Sequence, residues 1–361
     1  MGVALVKLLV MGYLLGSNLA TDVPIYILAL VIGISQIFHA SINLVTYVLY
    51  RKNKIRPRFR FLLDGLVLVF LGGTSLLSST GNSVFQLFVL GAYFFLYGVS
   101  NIRDGFLFEK EIGKNHLKRR VRMSLPIVLA ALIPASTLAK INKFMQENAD
   151  EEEEIYLGMV KFGKTADLEI FVHTAETSLF SAIGHVDLCY QGRVISYGNY
   201  DPSSETLFGM VGDGVLYFCD RDKYIDLCKR ESQKTLFGYG IDLTPEMEEA
   251  VQEKLAELKQ LTIPWEPSAD KIKTEDGKED YTYAYKIRHE TDGELYKFIK
   301  SKFKSYFVLS TNCVLLADTI VGQAGTDILS PKGFIAPGTY QAYLDREFEK
   351  PNSIVVSKHV Y

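Results

Sequence analysis

The stretch GHVDLCYQGRVISYG, residues 184–198, predicts a β-hairpin. The predicted fold of the second part of the chain is built outward from this hairpin. Its two arms are rich in β-branched and aromatic residues, and they flank Gln191-Gly192, a pair that suits a two-residue turn. If these two residues form the turn, Tyr190 pairs with Arg193. That single pair sets the register of the whole hairpin.

Counting outward from the turn predicts which side chains share a face. Asp187 is expected opposite Ser196, and His185 opposite Gly198, where the missing side chain leaves space for the imidazole ring. His185, Asp187 and Ser196 then lie on one face of the hairpin. Asn199 is chemically a better partner for His185 than Ser196, but it reaches that face only through a bulge.

The chain around this hairpin alternates between strand-like and helix-like segments, a mixture that favours an α+β domain over a doubly wound parallel sheet. The clearest helix begins with Thr244 as N-cap, Pro245 at the first helical position and Glu246 near the positive helix end. Residues 266–280 are polar and predict a loop. The other predicted segments are strands at 155–163, 167–174, 214–221 and 281–289, and helices at 292–303 and from Cys313 onward.

A second stretch, STNCVLLADTIVGQAG at residues 310–325, predicts a helix that begins at a cysteine. Asn312 or Thr311 can cap it, which leaves Cys313 in the first turn, where free N–H groups and the helix dipole stabilise a thiolate. A thiolate nucleophile works with a histidine, and His185 has the most suitable position of the six, at the start of a hairpin strand. A buried core thiol remains the alternative for Cys313, as a structural histidine does for His185.

The hairpin, followed much later by the cysteine helix, resembles a circularly permuted NlpC/P60 (papain-like) domain of the group that includes the lecithin:retinol acyltransferase-like proteins. The resemblance covers roughly residues 155–347 and implies an antiparallel sheet with a nucleophile-bearing helix. It implies Cys313 as nucleophile, His185 as general base and Ser196 at the third position, where the family has His, Asn, Gln or another strong acceptor. It also implies hydrolysis or acyl transfer at an amide or ester bond.

Other chemistries have little support in the composition and motifs. The formal net charge of -3 implies no nucleic-acid partner. The four cysteines include no CxxC pair, and the sequence has no GxGxxG, Walker A or HExxH motif. A metal site made of His185, Cys189 and Cys313 lacks a fourth ligand, so we expect neither a metal nor a cofactor.

The first part of the chain, residues 1–142, predicts an α-helical membrane bundle of four to five spans. Its apolar runs follow one another too closely to be explained as isolated core helices. Two segments, 61–73 and 90–105, have a paired-hairpin pattern that resembles the HdeD-like family of bacterial membrane proteins, which implies a small bundle without catalysis. The apolar runs cover residues 3–16, 23–50, 61–79, 83–100 and 124–139.

Basic loops set the predicted orientation of the bundle. Residues 51–60 and 101–122 are rich in Lys and Arg, which places them in the cytoplasm. With five spans, the domain that follows an acidic linker at 143–154 is extracytoplasmic; if the fifth run does not span, the domain is cytoplasmic. We therefore predict a multi-pass protein of a bacterial-type cell membrane, with membrane lipids as partners and a peptide, cell-wall or acyl-lipid substrate. Residues 348–361 are predicted as a C-terminal tail.

Overall fold

A computed structural model gives the chain two compact units, Met1–Lys114 and Asn115–Tyr361, and each is described by itself. The first contains apolar helices, and the second is an α+β domain built on an antiparallel sheet. The structure describes residues 22–77, 159–160, 166–173, 185–232, 236–273, 279–322 and 353–361, with separate positions between 88 and 95 and between 341 and 350.

The described part of the first unit is a hairpin of two apolar helices, α1 (Asp22–Lys52) and α2 (Phe59–Leu77). They correspond to the second and third predicted apolar runs. Leu30–Lys52 and Phe59–Leu77 are long and apolar enough to cross a membrane, with mean hydropathies of 1.4 and 1.7. The first and fifth predicted runs lie outside the described residues, and only separate helical positions of the fourth are described.

Small residues let α1 and α2 approach closely. A Cβ atom added to Gly72 would lie 2.9 Å from Cγ1 of Ile37 and 3.0 Å from the carbonyl oxygen of Gly33. A Cβ atom on Gly65 would lie 2.9 Å from Cδ2 of Leu44. Because apolar side chains gain little by leaving lipid for one another, close backbone packing of this kind stabilises two such helices against each other.

The second unit contains strands and helices that alternate irregularly along the chain. Its described strands are β1 (Met159–Val160), β2 (Leu168–His173), β3 (His185–Tyr190), β4 (Arg193–Gly198), β5 (Val211–Asp213), β6 (Val215–Asp220), β7 (Leu236–Ile241), β8 (Thr262–Pro264), β9 (Lys271–Lys273), β10 (Glu279–Tyr281), β11 (Glu294–Phe298), β12 (Ser305–Phe307) and β13 (Val355–Val360). Its described helices are α3 (Arg221–Ser232), α4 (Pro245–Gln260), α5 (Tyr283–Glu290) and α6 (Cys313–Val321).

Nine of the described strands form one antiparallel sheet in the order β1-β13-β7-β2-β3-β4-β6-β11-β8. Helices α4 and α6 pack into the apolar core on one face, and α3 and α5 into the core on the other. Strand β3 therefore lies in the middle of the sheet and is covered on both sides. Residues 348–361, predicted as a tail, contain β13, which pairs with both β7 and β1.

The predicted turn of the hairpin is confirmed. Gln191 and Gly192 have φ angles of 50° and 73°, so both turn residues are left-handed, as the twist of a tight hairpin requires. Tyr190 pairs with Arg193 in the expected register. The positions of β3 and β4 next to the turn are therefore predicted correctly from the sequence.

Some of the other segment predictions are wrong. Residues 281–289, predicted as a strand from their tyrosines, contain α5, because Thr282 caps a helix by accepting an N–H from its first turn. Residues 292–303, predicted as a helix, contain β11, which pairs with β6 and β8. The predicted loop at 266–280 contains β9 and most of its partner β10. The helix capped by Thr244 is confirmed as α4.

Candidate active site

Helix α6 begins at Cys313, as predicted, because Asn312 caps it. Oδ1 of Asn312 accepts the N–H of Leu315 at 3.1 Å, and Nδ2 of the same side chain donates to the carbonyl oxygen of Val308 at 3.0 Å. The cap thus ties the helix to the segment that precedes it. The Cys313 thiol lies in the first turn, where N–H groups without intrahelical acceptors stabilise negative charge.

The cysteine helix packs against both β3 and β4. Their pairing stops at Leu188↔Ile195, so the two outer pairs predicted for the hairpin are not part of the ladder. His185, the first residue of β3, lies at this open end. The Cys313 thiol lies close enough to this imidazole to contribute to the rise in its pKa. The two residues that the sequence proposed as nucleophile and base are therefore brought together.

Asp187 is the acidic partner of His185. Its Oδ1 atom lies 2.8 Å from Nε2 of His185, in an ion pair whose alignment departs from that of a hydrogen bond. Its Oδ2 atom accepts from Nε2 of His173 at 2.7 Å and from the hydroxyl of Tyr224 at 2.5 Å. One carboxylate on β3 thus holds an imidazole from its own strand and another from β2. We call His173, His185, Asp187 and Tyr224 together the His–Asp–His cluster.

Ser196, the predicted third residue, also contacts His185. Its Oγ atom lies 3.0 Å from Nε2 of His185 and 2.8 Å from the hydroxyl of Tyr200. That hydroxyl lies 3.0 Å from the same Nε2. Asn199, the alternative third residue, has a different partner, because its Nδ2 donates to the carbonyl oxygen of Gly209 at 3.4 Å. Three oxygen-bearing side chains therefore crowd one nitrogen of His185.

In the His–Asp–His cluster, the combined effect of neighbouring charged and polar groups on the pKa values of His185 and Asp187 exceeds the effect of burial. Burial lowers the pKa of His185, but the negative charge of Asp187 and the interaction with Cys313 raise it well above its usual range. Burial raises the pKa of Asp187, yet the charge of His185 and a hydrogen bond from His173 hold it well below its usual range. These directions favour an imidazolium beside a carboxylate anion at neutral pH.

Exposure differs sharply between the members of the site. The side chain of His185 is 25% exposed, whereas that of Asp187 is fully buried. Cys313 is 3% exposed, so its thiol has little direct contact with solvent. The imidazole is therefore the part of the site that solvent meets first.

The other cysteines have different surroundings. Cys189 and Cys219 belong to the core on the face of the sheet opposite α6. Burial raises the pKa of Cys189 to about 12 and moves that of Cys219 in the same direction. Within the described ranges, no three His, Cys, Asp or Glu side chains are arranged to hold a metal ion. Nothing in the described residues therefore joins Cys189 to His185 and Cys313 in one ligand set.

Some of these contacts could be read from the sequence and others could not. Asp187 lies two residues from His185 on one strand, a spacing that puts both side chains on the same face. His173 carries no such signal, because it arrives through the pairing of β2 with β3. The space left by Gly198 is taken by Tyr200, whose Cζ atom lies 2.6 Å from where a Cβ would stand, and not by the imidazole as predicted.

Comparison with known proteins does not assign a family or a function to this site. No family model, curated protein or solved structure matches the chain. The function is therefore argued from the site itself.

Proposed function

We propose that the chain is a membrane-anchored cysteine hydrolase or acyltransferase that acts on an amide or ester bond. The observation that carries the proposal is that Cys313 and Asp187 both act on the imidazole of His185, Asp187 through an ion pair of 2.8 Å and Cys313 through its effect on the pKa of the ring. A thiol, an imidazole and a carboxylate in this order are the parts of an activated cysteine nucleophile. The order along the chain, imidazole first and thiol last, agrees with the resemblance to permuted NlpC/P60 domains.

In the first half of the reaction, the thiolate of Cys313 attacks the carbonyl carbon of the substrate and forms an S–C bond. The carbonyl oxygen becomes an oxyanion, to which the N–H groups of Cys313 and Val314 in the first turn of α6 can donate. As the oxyanion collapses, the bond to the leaving nitrogen or oxygen breaks, and the imidazolium of His185 gives that atom its proton. An acyl-thioester and a neutral imidazole remain.

In the second half, the neutral imidazole of His185 takes a proton from the attacking water, alcohol or amine. The attacking atom bonds to the acyl carbon, the thiolate of Cys313 leaves, and the imidazolium is restored. Asp187 keeps its charge throughout, orients the ring and stabilises the imidazolium. Water as the attacking group gives hydrolysis, and any other acceptor gives transfer, so the same residues serve both outcomes.

The membrane anchor is supported by the two helices that are long and apolar enough to cross a bilayer. We propose that the remaining apolar runs also span and that the basic segment 51–60 lies in the cytoplasm. The α+β domain then lies outside the cytoplasm, with a peptide, cell-wall or acyl-lipid substrate. Protease accessibility of this domain in intact cells tests the orientation.

A second candidate function is a catalytically inactive papain-like module that binds a ligand at the membrane. Its support is the low exposure of Cys313, which at 3% equals that of Cys228. A thiol that substrates cannot reach would be a core residue whatever its partners.

Acylation of the full-length chain by p-nitrophenyl acetate separates the two candidates. The enzyme is expected to release a burst of p-nitrophenol and to carry an acetyl group on Cys313, detected by mass mapping of peptides. Cys313→Ala should remove the burst, whereas Cys189→Ala, which removes a thiol from the opposite core, should retain it. Acetylation of Cys313 no faster than that of Cys189 would instead support the inactive module.

A further inference from the structure

An exposed apolar turn lies between two segments of the candidate site. Thr206 and Val211 exchange backbone hydrogen bonds of 2.8 and 3.2 Å and close this turn. At its end Leu207 is 49% exposed and Phe208 is 92% exposed. We call these two residues the 207–208 tip. A phenylalanine left almost wholly in water forgoes the burial that normally stabilises such a side chain.

The backbone of the tip is also unfavourable for these residue types. Leu207 and Phe208 have φ angles of 50° and 58°, followed by Gly209 at 80°. Such left-handed turn positions ordinarily hold Gly, Asn or Asp, because a larger side chain crowds the backbone there. A leucine and a phenylalanine at these positions are unfavourable for the left-handed turn, and their exposed side chains contribute little to the apolar core. Local choices that conflict with folding are characteristic of functional positions.

Hydrogen bonds attach the tip to both halves of the site. The carbonyl oxygen of Met210 accepts the N–H of Val308, whose own carbonyl oxygen accepts from the cap residue Asn312. The carbonyl oxygen of Gly209 accepts from Asn199, the neighbour of the tyrosine that contacts His185. The turn that carries the tip is thus joined, through Gly209 and Met210, to the segment after β4 and to the segment before Cys313.

We propose that the 207–208 tip inserts into the headgroup–acyl boundary of the membrane that anchors the chain, so that the Cys313–His185 pair meets acyl groups carried on lipids. The insertion rests on the exposure and backbone of the tip and on the proposed membrane anchor, whereas the choice of substrate rests on the proposed chemistry of the site. A domain tethered to helices that are long and apolar enough to cross a bilayer stays at a high local concentration near lipid, so even the weak affinity of one phenylalanine and one leucine adds to an attachment that already exists. Aromatic side chains are favoured at this depth.

Quenching of tryptophan fluorescence by brominated lipids tests the insertion directly. The chain has a single tryptophan, Trp265, so Trp265→Phe with Phe208→Trp places the only indole at the tip. The full-length protein is reconstituted in phosphatidylcholine vesicles with brominated or ordinary acyl chains. The tip indole should lose most of its fluorescence in brominated lipid. The matched control, Trp265→Phe with Ile272→Trp, places an indole at another apolar position, 42% exposed on β9, and should keep its fluorescence.

If removal of Trp265 prevents folding, Phe208→Trp in the otherwise unaltered chain is measured against the unaltered chain. The added fluorescence is then the signal that brominated lipid should quench. Quenching of the tip no stronger than that of the Ile272→Trp control overturns the insertion in either form of the experiment. A tip covered by protein would give this same negative result.

A rate comparison tests the substrate class. Phe208→Ser should lower the ratio of turnover on vesicle-borne p-nitrophenyl palmitate to turnover on soluble p-nitrophenyl acetate. An unchanged ratio with a quenched tip would overturn the lipid substrate while the insertion stands. No turnover of either ester with a quenched tip would remove the proposed function and leave the membrane contact. Turnover of both esters with an unquenched tip would do the reverse.

Discussion

Asp187 and His185 are two residues apart on β3, and Oδ1 of the first lies 2.8 Å from Nε2 of the second. The alternation of a single strand is enough to create this pair, because side chains at i and i+2 point to the same side. The carboxylate is in turn held from β2 and α3 by His173 and Tyr224. The orientation of the imidazole is therefore set by three separate elements of the sheet domain.

Asp187→Asn is expected to cost more activity than Ser196→Ala. Loss of the carboxylate removes the charge that orients the ring and stabilises the imidazolium, and the same change in a nucleophile–histidine–aspartate triad costs about 10⁴-fold in rate. Loss of the serine hydroxyl removes one hydrogen bond to the imidazolium, which is worth about 1.5–3 kcal/mol, or roughly 10- to 150-fold. Steady-state rates on p-nitrophenyl acetate measure both variants. Equal losses would mean that Ser196 shares the orienting role.

The stability of the domain should depend on pH through His185. Its pKa is raised above the ordinary 6.5 in the folded chain, so the folded state holds a proton that the unfolded state releases. The stabilisation is complete below the unfolded pKa and is lost as pH rises through the raised folded pKa. Asp187→Asn removes a main cause of the shift and should flatten this decline. Thermal unfolding in detergent across neutral to alkaline pH measures the slope, and parallel curves for the two proteins would contradict the assignment.

Iodoacetamide should modify Cys313 faster than the other cysteines at neutral pH. Cys313 has the imidazolium of His185 beside it, whereas burial raises the pKa of Cys189 to about 12 and keeps that thiol protonated. Mass mapping of the full-length chain after timed exposure gives the rates. His185→Ala should slow the reaction at Cys313 and leave Cys189 as it was. Similar rates at both thiols in the unaltered chain would argue for a structural Cys313.

Asn312→Ala should reduce both stability and thiol reactivity, because the same side chain caps α6 and binds the carbonyl oxygen of Val308. The loss of an N-cap costs about 1 kcal/mol of unfolding free energy. Thr244→Ala is the matched control, since Thr244 caps α4 by accepting the N–H of Met247. It should cost a similar amount of stability and leave the alkylation rate of Cys313 unchanged. Equal slowing in both variants would show that reactivity follows stability only.

Gly72→Ala should destabilise the helix hairpin of the first unit, whereas Gly73→Ala should not. The new methyl group at 72 would meet Ile37 and the backbone of Gly33, and overpacking of this kind costs about 1–3 kcal/mol. At 73 it would meet no described atom within 4 Å, and alanine is the better helix former. Thermal unfolding of the two variants in detergent makes the comparison. A more stable Gly72→Ala protein would contradict the close packing of α1 and α2.

Much of the site could be predicted because its signals are local. Gln191-Gly192 sets the turn, Asn312 sets the start of α6, and each depends only on adjacent residues. The relation between β3 and β4 beyond Leu188 could not be predicted, since it depends on where the ladder ends and on the helix that packs there. Cross-strand counting therefore chose Ser196 as the third residue and gave Asp187 no role.

The segment errors have a similar physical origin. The tyrosines of 281–289 favour a strand, but Thr282 supplies a cap and tertiary packing buries Ala284 and Ile287 on one side of a helix. Residues 292–303 carry long side chains that suit a helix, and only pairing with β6 and β8 makes the first part a strand. Secondary-structure propensity predicts these segments poorly because pairing and packing with residues distant in sequence determine whether each forms a helix or a strand.

The place of β3 in the sheet has a consequence for how activity is lost on heating. Four described strands lie on either side of it, so fraying from the edges reaches it last. Many active sites lie in segments that open before the rest of the fold. Here the imidazole and carboxylate lie on a central strand that stays paired with β2 as far as His185, so inactivation and global melting should coincide. A heat-stressed population should then contain competent molecules and unfolded ones, with few that are folded but inert.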